Sequence, residues 1–273
     1  MTTTHLHPAP CGLPPPGLLA LWRFDTDRPL ALTSTGPVAA RLRPVGAMPT
    51  HVEGGPCGGA LRFDGRHQLI VPRAELGPLN RCGDRSAVTV IAWLRRLGDS
   101  PWQFVAGVWD ESRAQRQYGL FLNASAYPTG ADHHRSPCRG RVHGHVSNHG
   151  GPTPGHRVCL TYATGATELG FDRWHTIAMT FDGTCSRVFV DGHLDCLTNA
   201  NPLSFPHLLH DGGPDGADFA IGANSVAGET RNYLQADLAA IAIYDRALSD
   251  IPASPPVDST TSDQPKRLPS ACW

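Results

Sequence analysis

Trp174-His-Thr-Ile-Ala-Met-Thr-Phe-Asp-Gly183, followed by Val188-Phe-Val-Asp-Gly192, decides how this chain is read. In an extended segment successive side chains alternate between faces. Trp174, Thr176, Ala178 and Thr180 therefore project one way, and His175, Ile177, Met179 and Phe181 the other. If two sheets are stacked, one of those faces is core. An Asp-Gly pair between alternating apolar residues marks a type I′ turn, because both central residues need positive φ. Turn chemistry is accordingly the first role of Asp64, Asp182 and Asp191, each of which precedes a glycine. In the register set by Asp191-Gly192, Arg187 faces Cys196 and Cys185 faces Thr198, so no Cys185–Cys196 bridge is expected.

Outward from this pair the same grammar repeats. Leu18–Phe24, Ala60–Phe63, Gln68–Val71, Ala87–Arg95, Phe104–Trp109 and Tyr118–Asn123 read as strands, and Arg141–Ser147, Val158–Tyr162, Phe219–Ile221 and Ala236–Tyr244 continue the series. No amphipathic helix interrupts them. Glycine and proline, 29 and 25 of 273 residues, oppose helices throughout the chain. The expected fold is all-β, a two-sheet antiparallel jelly-roll sandwich over residues 18–251. Residues 1–17 read as a flexible leader and 252–273 as a disordered Pro/Ser/Thr-rich tail. The 124–157 stretch reads as a loop-rich elaboration over one face.

Charge narrows the partners. A formal net charge of −1 with 22 scattered arginines and one lysine supplies no dense basic face, so nucleic acid is not expected. No apolar run is long enough to span a bilayer. The N-terminal stretch lacks the charged and apolar regions of a signal peptide, so a cytoplasmic protein is expected, or a secreted one if the chain is a fragment of a longer protein. Eight cysteines without zinc-ligand spacing then read as thiols rather than a bridge framework.

Ordered motifs add a family signature. Ala60-Leu-Arg-Phe-Asp-Gly65, Val71-Pro72 and Val88-Thr-Val-Ile-Ala-Trp93 precede the two strings quoted first, and Ala220-Ile-Gly222 and Ile243-Tyr-Asp-Arg-Ala-Leu-Ser249 follow them. In that order they resemble the laminin-G-like branch of the concanavalin A-like lectin/glucanase superfamily. The resemblance implies a jelly roll that uses one sheet face for ligands. It also implies calcium at a sheet edge, held by an acidic pair in the last strand. Here Ala239 and Ala240 stand in those places, which leaves Asp237, with Asp25 as partner, as the substitute ligands for a structural Ca²⁺. The stretch from Phe104 to Thr167 is similar to the jelly-roll portion attached to large subunits of N,N-dimethylformamidase-like amidohydrolases.

Several chemistries can be weighed. Glycoside hydrolysis needs two carboxylates facing across a cleft. The chain has five glutamates and no E-x-D-x-x-E strand, and Asp110 and Glu111, being adjacent, would point to opposite faces of a strand. A polysaccharide lyase would use Tyr and His with Arg, and Tyr118, His143, His145 and Tyr162 supply those types. His143-Gly144-His145 places two imidazoles on one strand face, with His149 as a possible third metal ligand. The leading expectation is a non-catalytic module that binds carbohydrate or a partner protein through Trp102, Trp109, Tyr118, His143, His145, His149 and Tyr162. Trp93 and Trp174 are assigned to the core. The alternatives are an accessory domain of a multidomain amidohydrolase and the lyase.

Overall fold

The computed structural model describes residues 14–25, 32–123 and 140–256. Among them the chain forms β1 (Leu18–Arg23), β2 (Arg43–Val45), β3 (Thr50–Glu53), β4 (Gly59–Asp64), β5 (Gln68–Val71), β6 (Val88–Arg96), β7 (Trp102–Asp110), β8 (Gln115–Asn123) and β9 (Arg141–Gly150). It continues with β10 (Tyr162–Thr164), β11 (Trp174–Phe181), β12 (Cys185–Val190), β13 (His193–Leu194), β14 (Leu203–Ser204), β15 (Phe219–Ile221), β16 (Asn224–Val226), β17 (Glu229–Arg231) and β18 (Gln235–Tyr244). Four 3₁₀ turns are the only helical elements among the described residues.

The strands make two sheets. The first runs β13-β12-β11-β6-β18-β4-β3, with β1 on β18 and β14 on β12. The second runs β10-β9-β8-β7-β15-β5-β2, with β16 and β17 at the end of β7. Pairing is antiparallel except for one parallel bridge, Ser225 to Asp110. The apolar set expected in Trp174–Phe181 is core: Ile177, Met179 and Phe181 share one buried cluster with Val105, Val108, Leu120 and Val146 of the other sheet. Trp22 stacks on Phe219 across the two layers at 5.4 Å. Gly222 closes the Ala-Ile-Gly motif at φ +86°, where an added Cβ would meet Phe63 at 2.4 Å. Only glycine fits there.

The Asp191-Gly192 turn has positive φ at both residues, as the sequence demands. The register expected beyond it stops early. Phe189 pairs with Leu194, but after Leu194 the chain turns away, and Ser204 of β14 takes the place opposite Cys185. Cys82, Cys159, Cys185 and Cys196 carry free thiols.

The outer face of the first sheet is covered by its own chain. Leu21, Ile91, Trp93, Ala178, Ala240 and Tyr244 pack there against Leu248 and Ile251. Thr89 Oγ1 donates to Arg246 O and Thr176 Oγ1 to Ala253 O, both at 2.7 Å. Arg23 donates to Pro256 O. Residues 252–256, expected to begin the tail, thus lie against this sheet, because Thr176 and Arg23 have their acceptors in that segment. Likewise Gly17 O accepts from Asp245 N at 2.9 Å. Residues 1–13 of the expected leader and 257–273 of the expected tail, and His133, His134 and Cys138 of the expected loop, fall outside the described residues.

Candidate functional site

The second sheet leaves an aromatic face outward. On β9, Val142 and Val146 enter the core, so His143 and His145 project from the opposite side, as the two-residue period requires. On β8 the core takes Tyr118, Leu120 and Leu122, which turns Phe121 outward. Cross-strand register then collects the rings: Phe121 lies opposite His143 and Tyr162 opposite His145. Val108 enters the core, so Trp109 turns outward, and the register shift between Phe104 and Ala106 lets Phe104 and Trp109, five residues apart, share that face.

The resulting cluster is tight. The His145 ring lies 4.6 Å from both Phe121 and Tyr162, 5.4 Å from Trp109 and 5.8 Å from Trp102. His143 lies 5.4 Å from Trp102 and 5.0 Å from Tyr162. Gly119 stands opposite His145 on β8, and an added Cβ there would sit 2.8 Å from Phe121. The missing side chain makes room for the rings.

Over this cluster opens a cavity of about 250 Å³, with Trp102, Trp109, Phe121, His145 and Tyr162 in its lining. Glu111, Val158, Cys159, Val226 and Asn232 complete it. The lining is mostly apolar with a few polar groups, the ordinary composition of a small-ligand site. Both ring nitrogens of His145 are buried and, among the described residues, lack a hydrogen-bond partner. Burial, with His143 and Arg116 adding repulsion, holds its pKa well below the usual histidine value. At neutral pH it is therefore a neutral imidazole with one donor and one acceptor unmet. Such a buried group is expected to find a partner in a ligand or water.

Polar groups at the edge are mutually held. Glu111 Oε2 accepts from Arg116 at 3.2 Å. Its Oε1 accepts from Trp109 Nε1 and Asn224 Nδ2, both at 3.3 Å. Asn232 Nδ2 donates to Asn224 Oδ1 at 2.9 Å. Burial pushes the Cys159 thiol up, so it is not a thiolate nucleophile.

Five of the seven residues expected at the site, Trp102, Trp109, His143, His145 and Tyr162, come together here. Tyr118 does not. It is fully buried between the sheets, its hydroxyl donating to Leu79 O at 2.8 Å, and burial raises its pKa strongly. The parity of Tyr118, Leu120 and Leu122 carries that information in the sequence. His149 is exposed near the end of β9 with Nδ1 at 3.4 Å from Ser147 Oγ, and it lies outside the cavity lining. Among the described residues no three His, Cys, Asp or Glu side chains gather into a metal-holding group.

The proposed calcium ligands are otherwise engaged. Asp237 is fully buried, and its two oxygens accept from Arg62 at 2.7 Å and Arg95 at 2.6 Å. Those guanidiniums hold its carboxyl below the usual range against the cost of burial. Calcium at Asp237 would have to displace them. Asp25 lies 3.5 Å from Arg23. Asp110 and Glu111 also depart from expectation: they do not straddle the sheet. Asp110 ends β7 and Glu111 begins the turn, so strand alternation does not govern the pair, and both reach the outer face.

Residues that sequence reasoning missed are Phe121, whose signal is the same β8 parity, and Glu111, Val158, Cys159, Val226 and Asn232. The last five come from turns and short segments with no periodicity to read.

The chain belongs to the concanavalin A-like lectin/glucanases superfamily: the laminin G model of that superfamily matches residues 74–251. No curated protein sequence matches the chain. Among solved structures it is similar to domain 4 of AbnA, a GH43 extracellular arabinanase from Geobacillus stearothermophilus, in complex with arabinotriose. That likeness has 15% identity and a TM-score of 0.56, over 85% of this chain and 94% of that one. It is also similar to the binding domain of botulinum neurotoxin DC in complex with SialylT, at 10% identity and a TM-score of 0.52, over 84% of this chain and 47% of that one. The chain thus spans about half the length of the toxin domain. At these identities the likeness is one of fold. Among the described residues no helix is long and apolar enough to cross a membrane.

Proposed function

We propose that this chain is a non-catalytic carbohydrate-binding module whose ligand enters the aromatic cavity on the outer face of the second sheet. The observation that carries the reading is His145: a buried neutral imidazole with both nitrogens unmet among the described residues, ringed by Trp102, Trp109, Phe121 and Tyr162. Rings offer apolar surface to the C–H face of a sugar, and the imidazole offers one donor and one acceptor to its hydroxyls, which themselves donate and accept. The arabinanase domain in complex with arabinotriose and the toxin domain in complex with SialylT are similar to this chain in fold, which supports the same use here. Among the described residues the reactive groups of the cavity are engaged rather than poised for bond cleavage: Glu111 is tied to Arg116 and Cys159 is a protonated thiol. A glycan array probed with the whole chain tests the reading. Selective retention of one sugar class, lost in a Trp102→Ala variant that melts as the parent does, is the expected result. Uniformly blank spots, or retention that survives the substitution, would overturn it.

A further inference from the structure

Trp109 stands between two cavities. On the side away from His145 a second opening of about 230 Å³ lies over β15, β5 and β2. Trp109, Ile70 and Ala220 line it on the outer face of the sheet, and Asp110, Arg113 and Asp218 supply charge. The adjacent carboxylates divide between the openings, Glu111 at the first and Asp110 at the second. Each is matched by an arginine close in sequence: Asp110 Oδ2 accepts from Arg113 Nε at 2.7 Å, as Glu111 Oε2 does from Arg116 Nη2 at 3.2 Å.

The two openings therefore repeat one chemistry, apolar surface beside a carboxylate–guanidinium pair, and at the second Asp218 adds a further carboxylate. The pair still offers acceptors and donors to a hydroxyl, but an anion meets cations already neutralised. Asn224 lines the second opening and donates to Glu111 of the first, joining their polar edges. Phe121 on β8 and Ala220 on β15 flank β7, two strand spacings apart, about 10 Å. One sugar ring does not cover both.

We propose that the two cavities are neighbouring subsites for a single uncharged oligosaccharide of at least two residues, laid across the strands with one ring on each side of Trp109. The proposal rests on the carbohydrate reading above and fixes the length and charge of the ligand.

Isothermal titration of the whole chain with arabinose, xylose and galactose, each as mono-, di- and trisaccharide, tests it, with a galacturonic acid series as the acidic arm. The expected result is that one neutral series gains about tenfold or more in affinity from monosaccharide to trisaccharide. Ala220→Trp, which fills the second cavity, removes the gain, and Arg113→Ala, at an exposed side chain, reduces it. Should Ala220→Trp fail to fold, Arg113→Ala and Asp218→Asn read the same ratio. A flat neutral series, a gain that survives these substitutions, or tighter binding of the acidic series overturns the two-subsite proposal and leaves carbohydrate binding standing. No heat from any series, together with a blank array, overturns both.

Discussion

The two outer faces of this sandwich solve opposite problems. On the first sheet the outward positions include Ala178, Ala239, Ala240 and Ala242, small residues beneath a segment that packs Leu248 and Ile251 onto them. On the second sheet the outward positions hold Trp102, Trp109, Phe121, His145 and Tyr162 around an open cavity. Small side chains let covering chain approach closely; large rings prop a space open. One ionisable residue on each face sharpens the contrast. Asp237, buried on the first face, has two arginines, whereas His145, buried on the second, has no hydrogen-bond partner among the described residues. One face is closed by its own chain, and the other keeps an open cavity.

That contrast can be broken by substitution. The largest effect is expected at Asp237. Asp237→Ala leaves Arg62 and Arg95 facing each other, and should cost about 3 kcal/mol of stability, the low end for a broken buried pair since both guanidiniums reach solvent. Urea unfolding measures the loss, and glycan retention by the folded fraction should be unchanged. A loss of glycan retention would mean that the faces are coupled.

His145 gives the next effect, through pH. Its folded pKa is depressed, so the unfolded chain takes up a proton near pH 6.5 while the folded chain does not. Its contribution is level above that pH and is lost as pH falls below it. The urea midpoint should drop between pH 7 and pH 5, and less steeply in His145→Phe. His210 is also depressed, but it is present in both proteins and cancels from the difference. Parallel profiles would contradict the buried neutral imidazole.

Smaller effects follow on the covered face. Thr176→Val removes the hydrogen bond to Ala253 O and should cost about 1 kcal/mol, with faster proteolysis after Ile251 as the local signature. Calcium should do least of all. With both Asp237 oxygens engaged by arginine, EDTA and added calcium are each expected to leave the melting temperature unchanged, and a calcium-dependent rise would restore Asp237 and Asp25 as ligands.

How much of this was legible varied with the kind of order involved. Strands such as Trp174–Phe181 were readable because alternation and Asp-Gly turns are local. Tyr118 was legible too, since it shares parity with Leu120 and Leu122, yet its aromatic character pointed to the surface. The pairing of Cys185 with Ser204 was hidden because nothing local marks where the chain leaves the Asp191-Gly192 hairpin. Glu111 and Asn232 were hidden for a related reason: they reach the cavity from turns, and only tertiary packing brings them there.

The central claim is that the aromatic cavity binds sugar. Its most direct test is calorimetric titration of the best array sugar into the parent protein and into Trp102→Ala. Saturable heat is expected in the parent and affinity weakened about thirtyfold in the variant, the roughly 2 kcal/mol expected of a central aromatic anchor. Equal affinity in the two proteins would contradict it.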